Sequence, residues 1–224
     1  SEKLATVGHL AAGMAHEIGN PLGAVVGYLN ILKDDLSGES RDMVQRSLAE
    51  TERIDRLVRE LLVYSAPIDR QPESFCPVTL LRETVDMLRH QGQLDGIEVN
   101  DLCTADGAQI DMDRGRLMQV WINLLLNARD AMLERSVLEI SSQREGDTIN
   151  VSVCDEGQGI EQDAMKRIFE PFFTTKAPGS GYGLGLAVCQ RIIDESGGNI
   201  TVSSNPGKGT CFKVSLPCFT ERLS

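Results

Sequence analysis

Gly179-Ser180-Gly181-Tyr182-Gly183-Leu184-Gly185 runs without a break into Leu186-Ala187-Val188-Cys189, and this junction decides how the C-terminal two thirds of the chain is read. Four glycines at alternate positions leave backbone N–H groups uncovered. The run opens into a helical pattern that continues from Gly185 to Ser196. Uncovered N–H groups at a helix N-terminus suit an anion such as a phosphate. A merely flexible loop has no reason to lead straight into a helix. The run is not a Walker loop, because no Gly-Lys-Ser/Thr follows, and it lacks the dinucleotide fingerprint of a βαβ unit.

Three further runs flank it. Asn123-Leu124-Leu125-Leu126-Asn127-Ala128-Arg129-Asp130-Ala131 sets two amides four apart on one helical face. Amide oxygens can coordinate Mg²⁺ and amide N–H groups can bond phosphate oxygens, while the plain alternative is a side chain that caps or crosslinks a neighbouring loop. Asp155-Glu156-Gly157-Gln158-Gly159 lies between a strand pattern and a helix pattern. A carboxylate at a strand end can accept the exocyclic amino group of adenine, although Asp and Gly also make ordinary turns. Gly207-Lys208-Gly209-Thr210 is a third glycine turn, and by itself only a hairpin.

The surrounding periodicity supplies the elements. Helices are expected over 78–88, from the cap Asp113 to about Leu133, over 160–169 and over 185–196. Strands are expected over 98–102, 109–112, 137–142, 148–154, 199–203 and 210–216, with turns at Glu145-Gly146-Asp147 and Asn205-Pro206-Gly207. Helices and mainly antiparallel strands in this mixed order imply an α/β sandwich with helices on one face of the sheet.

Upstream the pattern is purely helical. Leu4, Val7, Ala11, Met14, Ile18 and Val25 recur three and four apart, with Leu32 continuing the stripe, so Leu4–Leu36 reads as one long helix. His16 points away from that seam, Asn20 shares its face, and Pro21 bends the helix just past the histidine. A polar break at 34–40 leads into a second helix over 41–64, with Val44, Leu48, Thr51, Ile54, Val58 and Leu61 on one broad face. The short connection makes an antiparallel hairpin. Two such helices bury too little alone, so two copies are expected to pair into a dimeric four-helix bundle. The boundaries are 1–66 for the hairpin, 67–77 for a proline-bearing linker and 78–224 for the sandwich.

The totals narrow the function classes. A net charge of −11 over 224 residues argues against a nucleic-acid partner and demands local rescue of any nucleotide phosphates by Mg²⁺, N–H groups and a few cations. The six cysteines (76, 103, 154, 189, 211 and 218) show no metal spacing and read as small buried hydrophobes of a reducing compartment rather than zinc ligands or a disulfide frame. No apolar run reaches the length of a membrane span, so no membrane contact is expected within this stretch and a cytoplasmic location is expected. A helical pattern already under way at Leu4 suggests a segment of a longer protein, with an input domain and a possible membrane anchor upstream.

In order, these runs resemble the N, G1, F, G2 and G3 boxes of the Bergerat-type (GHKL) ATPase fold, with Phe169-Glu170-Pro171-Phe172-Phe173-Thr174-Thr175-Lys176 as the F box that hinges an ATP lid. His-Glu-x-x-Asn-Pro-Leu, from His16 to Leu22, resembles the phosphoacceptor box of the two-component sensor histidine kinases. The resemblance covers nearly the whole chain, and the Phe-Phe-Thr-Thr-Lys and Asn-Ala-Arg-Asp-Ala forms are most similar to the nitrogen-regulator subgroup.

The resemblance implies an ATP-dependent protein-histidine kinase in which His16 accepts the γ-phosphoryl group and hands it to an aspartate of a response regulator receiver domain. Glu17 would be the general base or orient the ring, and Asn20 would position water for dephosphorylating the partner. Asn127 would hold Mg²⁺ with Asn123 supporting the phosphates. Asp155 would read adenine in a pocket shaped by Gly157 and Gly159. Gly181, Gly183 and Gly185, with Leu184 between, would cradle the phosphates, Lys176 would add a lid cation, and Thr210 would hold the adenine end. Asp130 stands where many relatives carry a basic residue, and the stretch between Lys176 and Gly181 makes a short lid. Two other readings compete. An ATPase doing conformational work, as in gyrase, mismatch-repair or heat-shock proteins, lacks the histidine box. A non-catalytic dimeric scaffold predicts damaged boxes, whereas Asn127, Asp155 and the glycines are present.

Overall fold

The computed structural model describes residues 22–33, 36–65, 72–132, 136–176 and 183–220, with backbone alone at 52, 53, 55–65 and 220. The chain divides into two compact units, Ser1–Asp69 with Lys176–Leu184, and Arg70–Thr175 with Gly185–Ser224.

In the first unit, residues 22–33 are helical (α1) and Gly38–Ser65 form a second helix (α2), three residues longer at its start than the periodicity implied. The remainder of the expected Leu4–Leu36 helix lies outside the described residues. On α2 the sheltered positions are Val44, Leu48 and Thr51, the stripe expected to face a neighbour. Thr51 also sends its hydroxyl back to the Ser47 carbonyl at 2.7 Å. On α1 the sheltered stripe is Leu22, Val26 and Leu29. The seam residues Val25 and Leu32, with Tyr28, sit about a quarter turn away and are exposed in the single chain.

The second unit holds a five-stranded sheet built from β2 (Glu98–Cys103), β4 (Val137–Glu145), β5 (Thr148–Asp155), β6 (Asn199–Ser204) and β7 (Thr210–Pro217). Their order is β2-β4-β5-β7-β6, parallel between β2 and β4 and antiparallel elsewhere. Alternate residues Leu138, Ile140, Ile149, Val151, Val153, Ile200, Phe212, Val214 and Leu216 are buried, which fixes one sheet face as the core. Three helices supply the opposite wall: α3 (Pro77–His90), α4 (Arg114–Ala131) and α6 (Gly185–Glu195). Their contribution includes Leu80, Leu81, Leu117, Trp121, Leu124, Leu125 and Ile193, all essentially without solvent exposure. Helices on one face of a mixed sheet are the α/β sandwich the order of elements implied.

Local chemistry accounts for most element ends. Pro77 opens α3, where its missing N–H costs nothing. Asp113 caps α4 by accepting from the Arg116 N–H at 2.9 Å. Gly146, at φ +62°, lets β4 and β5 reverse, and Asn205–Lys208 closes a turn with Pro206 second and Gly207, at φ +73°, third.

Three expectations need correction. The helix expected over 160–169 is confined to α5 (Gln162–Met165). Beyond it Arg167, Glu170 and Phe173 bond three residues back rather than four, so the chain descends in tight turns, the last of which runs through Pro171 to Phe173. Residues 73–75, inside the stretch read as linker, form β1 (Glu73–Phe75), paired antiparallel with β3 (Ala108–Met112). A two-residue strand, β8 (Phe219–Thr220), pairs with the other edge of β3. The cysteines are not all free. Cys154 and Cys211 face each other in the β5–β7 register and form a disulfide, while Cys76, Cys189 and Cys218 are buried thiols and Cys103 is half-buried. Strand register brought together two sulfurs 57 residues apart, which spacing alone does not reveal.

Candidate functional site

Asp155 ends β5, with Leu138 on one side and Thr210 on the other in the pairing register. It lies on the core face and is 7% exposed. A buried carboxylate needs donors, and two backbone N–H groups supply them: Gly157 at 2.8 Å and Thr210 at 3.2 Å, both to Oδ1. The second oxygen, Oδ2, takes no hydrogen bond from a described residue. Burial pushes the Asp155 carboxyl above its ordinary value, against the pull of these two donors. One saturated oxygen and one open oxygen at the end of a core strand make a fixed acceptor, which suits a ligand amino group.

The loop after Asp155 is clamped on both sides by backbone. Gln158 donates to the Ala131 carbonyl at the end of α4 at 3.1 Å, and Gly207 donates to the Gln158 carbonyl at 2.7 Å. The glycines permit this closeness. A Cβ at Gly157 would stand 2.5 Å from the Ala131 carbonyl oxygen, and one at Gly159 would stand 2.1 Å from that of Asn205. At Gly209 the same atom would come within 1.8 Å of the Asp155 carbonyl oxygen. The loop at 156–159 and the turn at 205–209 are thus in backbone contact, and Asp155, Gly157, Gly159 and Thr210 form one assembly.

The α4 stripe extends it. Asn123, Asn127 and Ala131 follow each other at four-residue intervals, so they line one face with about 6 Å between successive members. Ala131 holds the loop at 158. Asn123, half-buried, donates its Nδ2 to the Gly185 carbonyl at 3.2 Å and to the Cys189 sulfur at 3.7 Å, tying α4 to the first turns of α6. Asn127 stands between these two anchors, half-buried. Asn123 therefore has the crosslinking contact that the sequence left open beside phosphate support. Asp130 is engaged by its neighbour Arg129 at 2.5 Å.

The other expected residues are distributed as follows. Gly185 begins α6, and a Cβ there would stand 3.7 Å from the Asn123 amide carbon, an ordinary contact. Gly183 has φ +70°, and Leu184 is 1% exposed. Lys176 is half-buried. At the 169–176 run, Arg167 from just upstream lies 4.4 Å over the Phe173 ring, and Phe172 adopts φ +66° with its side chain exposed, a backbone conformation rarely found for a non-glycine residue. His16, Glu17, Asn20 and Gly181 lie outside the described residues.

One residue of the assembly escaped the sequence reading. Ser204 closes β6 and its Oγ meets Ile160 N, Gly209 O and Thr210 Oγ1 at 2.9, 2.8 and 2.9 Å. The signal was a hydroxyl at the core-facing register of a strand, after Ile200 and Val202. Among the described residues no cluster of three or more His, Cys, Asp or Glu side chains gathers, and no helix is long and apolar enough to cross a membrane.

Comparison with known proteins agrees with this arrangement. Residues 6–67 match the family model of the His Kinase A (phospho-acceptor) domain, and residues 112–219 match that of the histidine kinase-, DNA gyrase B- and HSP90-like ATPase. Sporulation kinase A of Bacillus subtilis (strain 168) is 39% identical over 220 residues, 97% of this chain and 36% of that protein. The chain thus spans about a third of the length of this relative. The solved catalytic domain of histidine kinase ThkA superposes with a TM-score of 0.59 at 32% identity, over 66% of this chain and 95% of that one. ThkA in complex with the response regulator TrrA gives a TM-score of 0.69 at 30% identity, over 99% of this chain and 64% of that one. A phosphoacceptor model and an ATPase model in succession, with a solved kinase catalytic domain matched almost end to end, mean that the chain belongs to the two-component sensor histidine kinases, as a catalytic core with an ATP-binding domain.

Proposed function

We propose that this core binds ATP and Mg²⁺, transfers the γ-phosphoryl group to His16, and passes it to an aspartate of a response regulator receiver domain. The observation that carries the reading is the α4 stripe, with Asn127 midway between the glycine-bearing start of α6 and the loop that follows Asp155. In this assignment Asp155 Oδ2 accepts the adenine amino group, Gly157 and Gly159 shape the base pocket, and Thr210 borders it. Gly181, Gly183 and Gly185, with Leu184, receive the phosphates at a helix N-terminus, helped by Lys176. Asn123 fixes the position of that N-terminus. The amide oxygen of Asn127 is a hard ligand of the kind Mg²⁺ takes, and one protein ligand suffices for an ion that keeps phosphate and water oxygens around it. Mg²⁺, when bound, neutralises charge on the phosphate oxygens during transfer. His16 in its neutral form is the nucleophile, with Glu17 orienting it or taking its proton.

We further assign Asn20 to water positioning in the reverse reaction, removal of phosphate from the partner. Domain limits of 1–66, 67–77 and 78–224, with β1 at 73–75 inside the linker stretch belonging to the second unit, membership of the nitrogen-regulator subgroup and a cytoplasmic location complete the reading. Pairing of two copies through the helical hairpin is supported by the exposed Val25, Tyr28 and Leu32 on α1, beside a different stripe already sheltered within the chain. A response regulator as partner is supported by the ThkA complex with TrrA.

The test is incubation with Mg²⁺ and γ-labelled ATP, wild type against His16→Ala. Label on the wild type alone, lost in acid and kept in base, is the expected result. Release of ADP with no protein label would replace the kinase assignment with an ATPase one.

A further inference from the structure

We infer that Ser204 is a positioning residue that sets the nucleotide-base selectivity of the pocket by fixing Thr210 as a hydrogen-bond acceptor. The inference rests on the assignment of Asp155 as the reader of the base. Ser204 Oγ touches three groups, and only one distribution of protons satisfies all of them. The Ile160 N–H can only donate, so Ser204 accepts from it at 2.9 Å. The Gly209 carbonyl can only accept, so the single Ser204 proton goes there, at 2.8 Å. The third contact, to Thr210 Oγ1 at 2.9 Å, must then be filled by the Thr210 proton. Ser204 is saturated, and Thr210 has no proton left for anything else.

Thr210 stands directly opposite Asp155 in the β5–β7 register, is 5% exposed, and gives its backbone N–H to Asp155 Oδ1. Both side chains at this end of the site therefore offer only lone pairs: Asp155 Oδ2, and the remaining pairs of Thr210 Oγ1. Such a pair accepts the 6-amino group of an adenine in direct contact and meets the 6-oxo group of hypoxanthine or guanine there with repulsion. A Thr210 hydroxyl released from Ser204 rotates freely and can donate to a 6-oxo group. Ser204 thus acts on selectivity without touching the base.

The experiment measures Kd for ATP and for inosine triphosphate, with Mg²⁺, on the whole chain of wild type, Ser204→Ala and Ser204→Thr, by calorimetry. The ratio of the two Kd values for Ser204→Ala should fall by about tenfold relative to wild type, the scale of one hydrogen bond turned from repulsive to favourable. Ser204→Thr keeps the hydroxyl on a β-strand and should keep the ratio. A merely structural role would weaken both nucleotides alike and leave the ratio unchanged, which would overturn the inference while the base-reading assignment survives. A wild type that binds both nucleotides equally would overturn the assignment of Asp155 and this inference with it. Should the alanine variant not fold, Ser204→Cys, which nearly keeps the volume but accepts weakly, carries the same expectation of a reduced ratio, and an unreduced one overturns it.

Discussion

Gly209→Ala and Gly207→Ala form a matched pair, because the two glycines share a turn and a positive φ (+82° and +73°) yet differ in what a side chain would meet. At Gly207 the space around a Cβ is empty. The variant bears only the conformational penalty of an L residue in the left-handed region, about 1–2 kcal/mol. At Gly209 a Cβ would stand 1.8 Å from the Asp155 carbonyl oxygen and 2.8 Å from its carbon. Restoring ordinary contact requires two backbones to part by roughly 1.5 Å, and these are held by the β5–β7 ladder. Overpacking against an unyielding neighbour adds about 1–3 kcal/mol, for a total of about 2–5 kcal/mol. For a domain of this size that is a loss of about 10 °C in Tm for Gly209→Ala, against about 4 °C for Gly207→Ala. Trp121 is the sole tryptophan and is fully buried on α4, so its fluorescence follows unfolding of the ATP-binding unit specifically. ATP affinity gives a second reading, since Gly209→Ala displaces Asp155, whose carboxylate we propose reads the base. Equal melting shifts for the two variants, or unchanged ATP affinity in Gly209→Ala, would refute the close backbone packing on which the pocket is built.

Asp155→Asn tests the charge. The folded-state carboxyl titrates above its ordinary value, so the stabilisation it provides is full in acid and lost as pH rises through the raised value. Without nucleotide, Asp155→Asn should therefore melt above wild type near pH 7, with the advantage shrinking as pH falls toward 4. A variant less stable than wild type at pH 7 would mean that the two N–H donors outweigh burial. Asn123→Ala should cost about 1 kcal/mol in urea denaturation followed at Trp121, through loss of the bond to the Gly185 carbonyl. Asn123→Asp should cost more, because a carboxylate oxygen then faces that carbonyl. Equal losses would show that the amide N–H is not what joins α4 to α6.

The elements legible in the sequence are those whose stability is local. β4, β5 and β7 alternate apolar and polar residues over a covered face, and Asp113 precedes α4 as a cap does, so pattern alone located them. β1 and β8 are two or three residues long and carry no alternation. Pairing with the two edges of β3 creates them, and that pairing is a property of the folded sheet. The stretch after Ile160 has helical periodicity, but a single turn is a poor nucleus and Pro171 blocks its extension, so i−3 bonds take over. The site divides along the same line. Asp155, Asn127 and the glycines of the proposed site stand out in the sequence because each belongs to a run with its own chemistry. Ser204 looked like one hydroxyl among several in β6, and the Cys154–Cys211 pair looked like two unrelated residues, since both acquire meaning only from strand register.

The glycines of the site also had a role that composition misrepresents. In sequence they suggest freedom, a backbone able to turn and to follow a ligand. In the fold Gly157, Gly159 and Gly209 are the points where main chain meets main chain, at the end of α4, at Asn205 and at Asp155 itself. A loop clamped between the Ala131 carbonyl and the Gly207 N–H has little room to move, so the absent side chains produce rigidity. Rigidity is what base reading needs, because discrimination by a carboxylate oxygen depends on holding that oxygen still while the wrong base is tried against it. Gly185 differs in kind: its Cβ would meet only ordinary contact with Asn123, so substitution there leaves the helix start nearly unstrained. The two ends of the site thus place opposite demands on the same residue type, and an alanine scan of its glycines should separate into severe losses at 157, 159 and 209 and a mild one at 185.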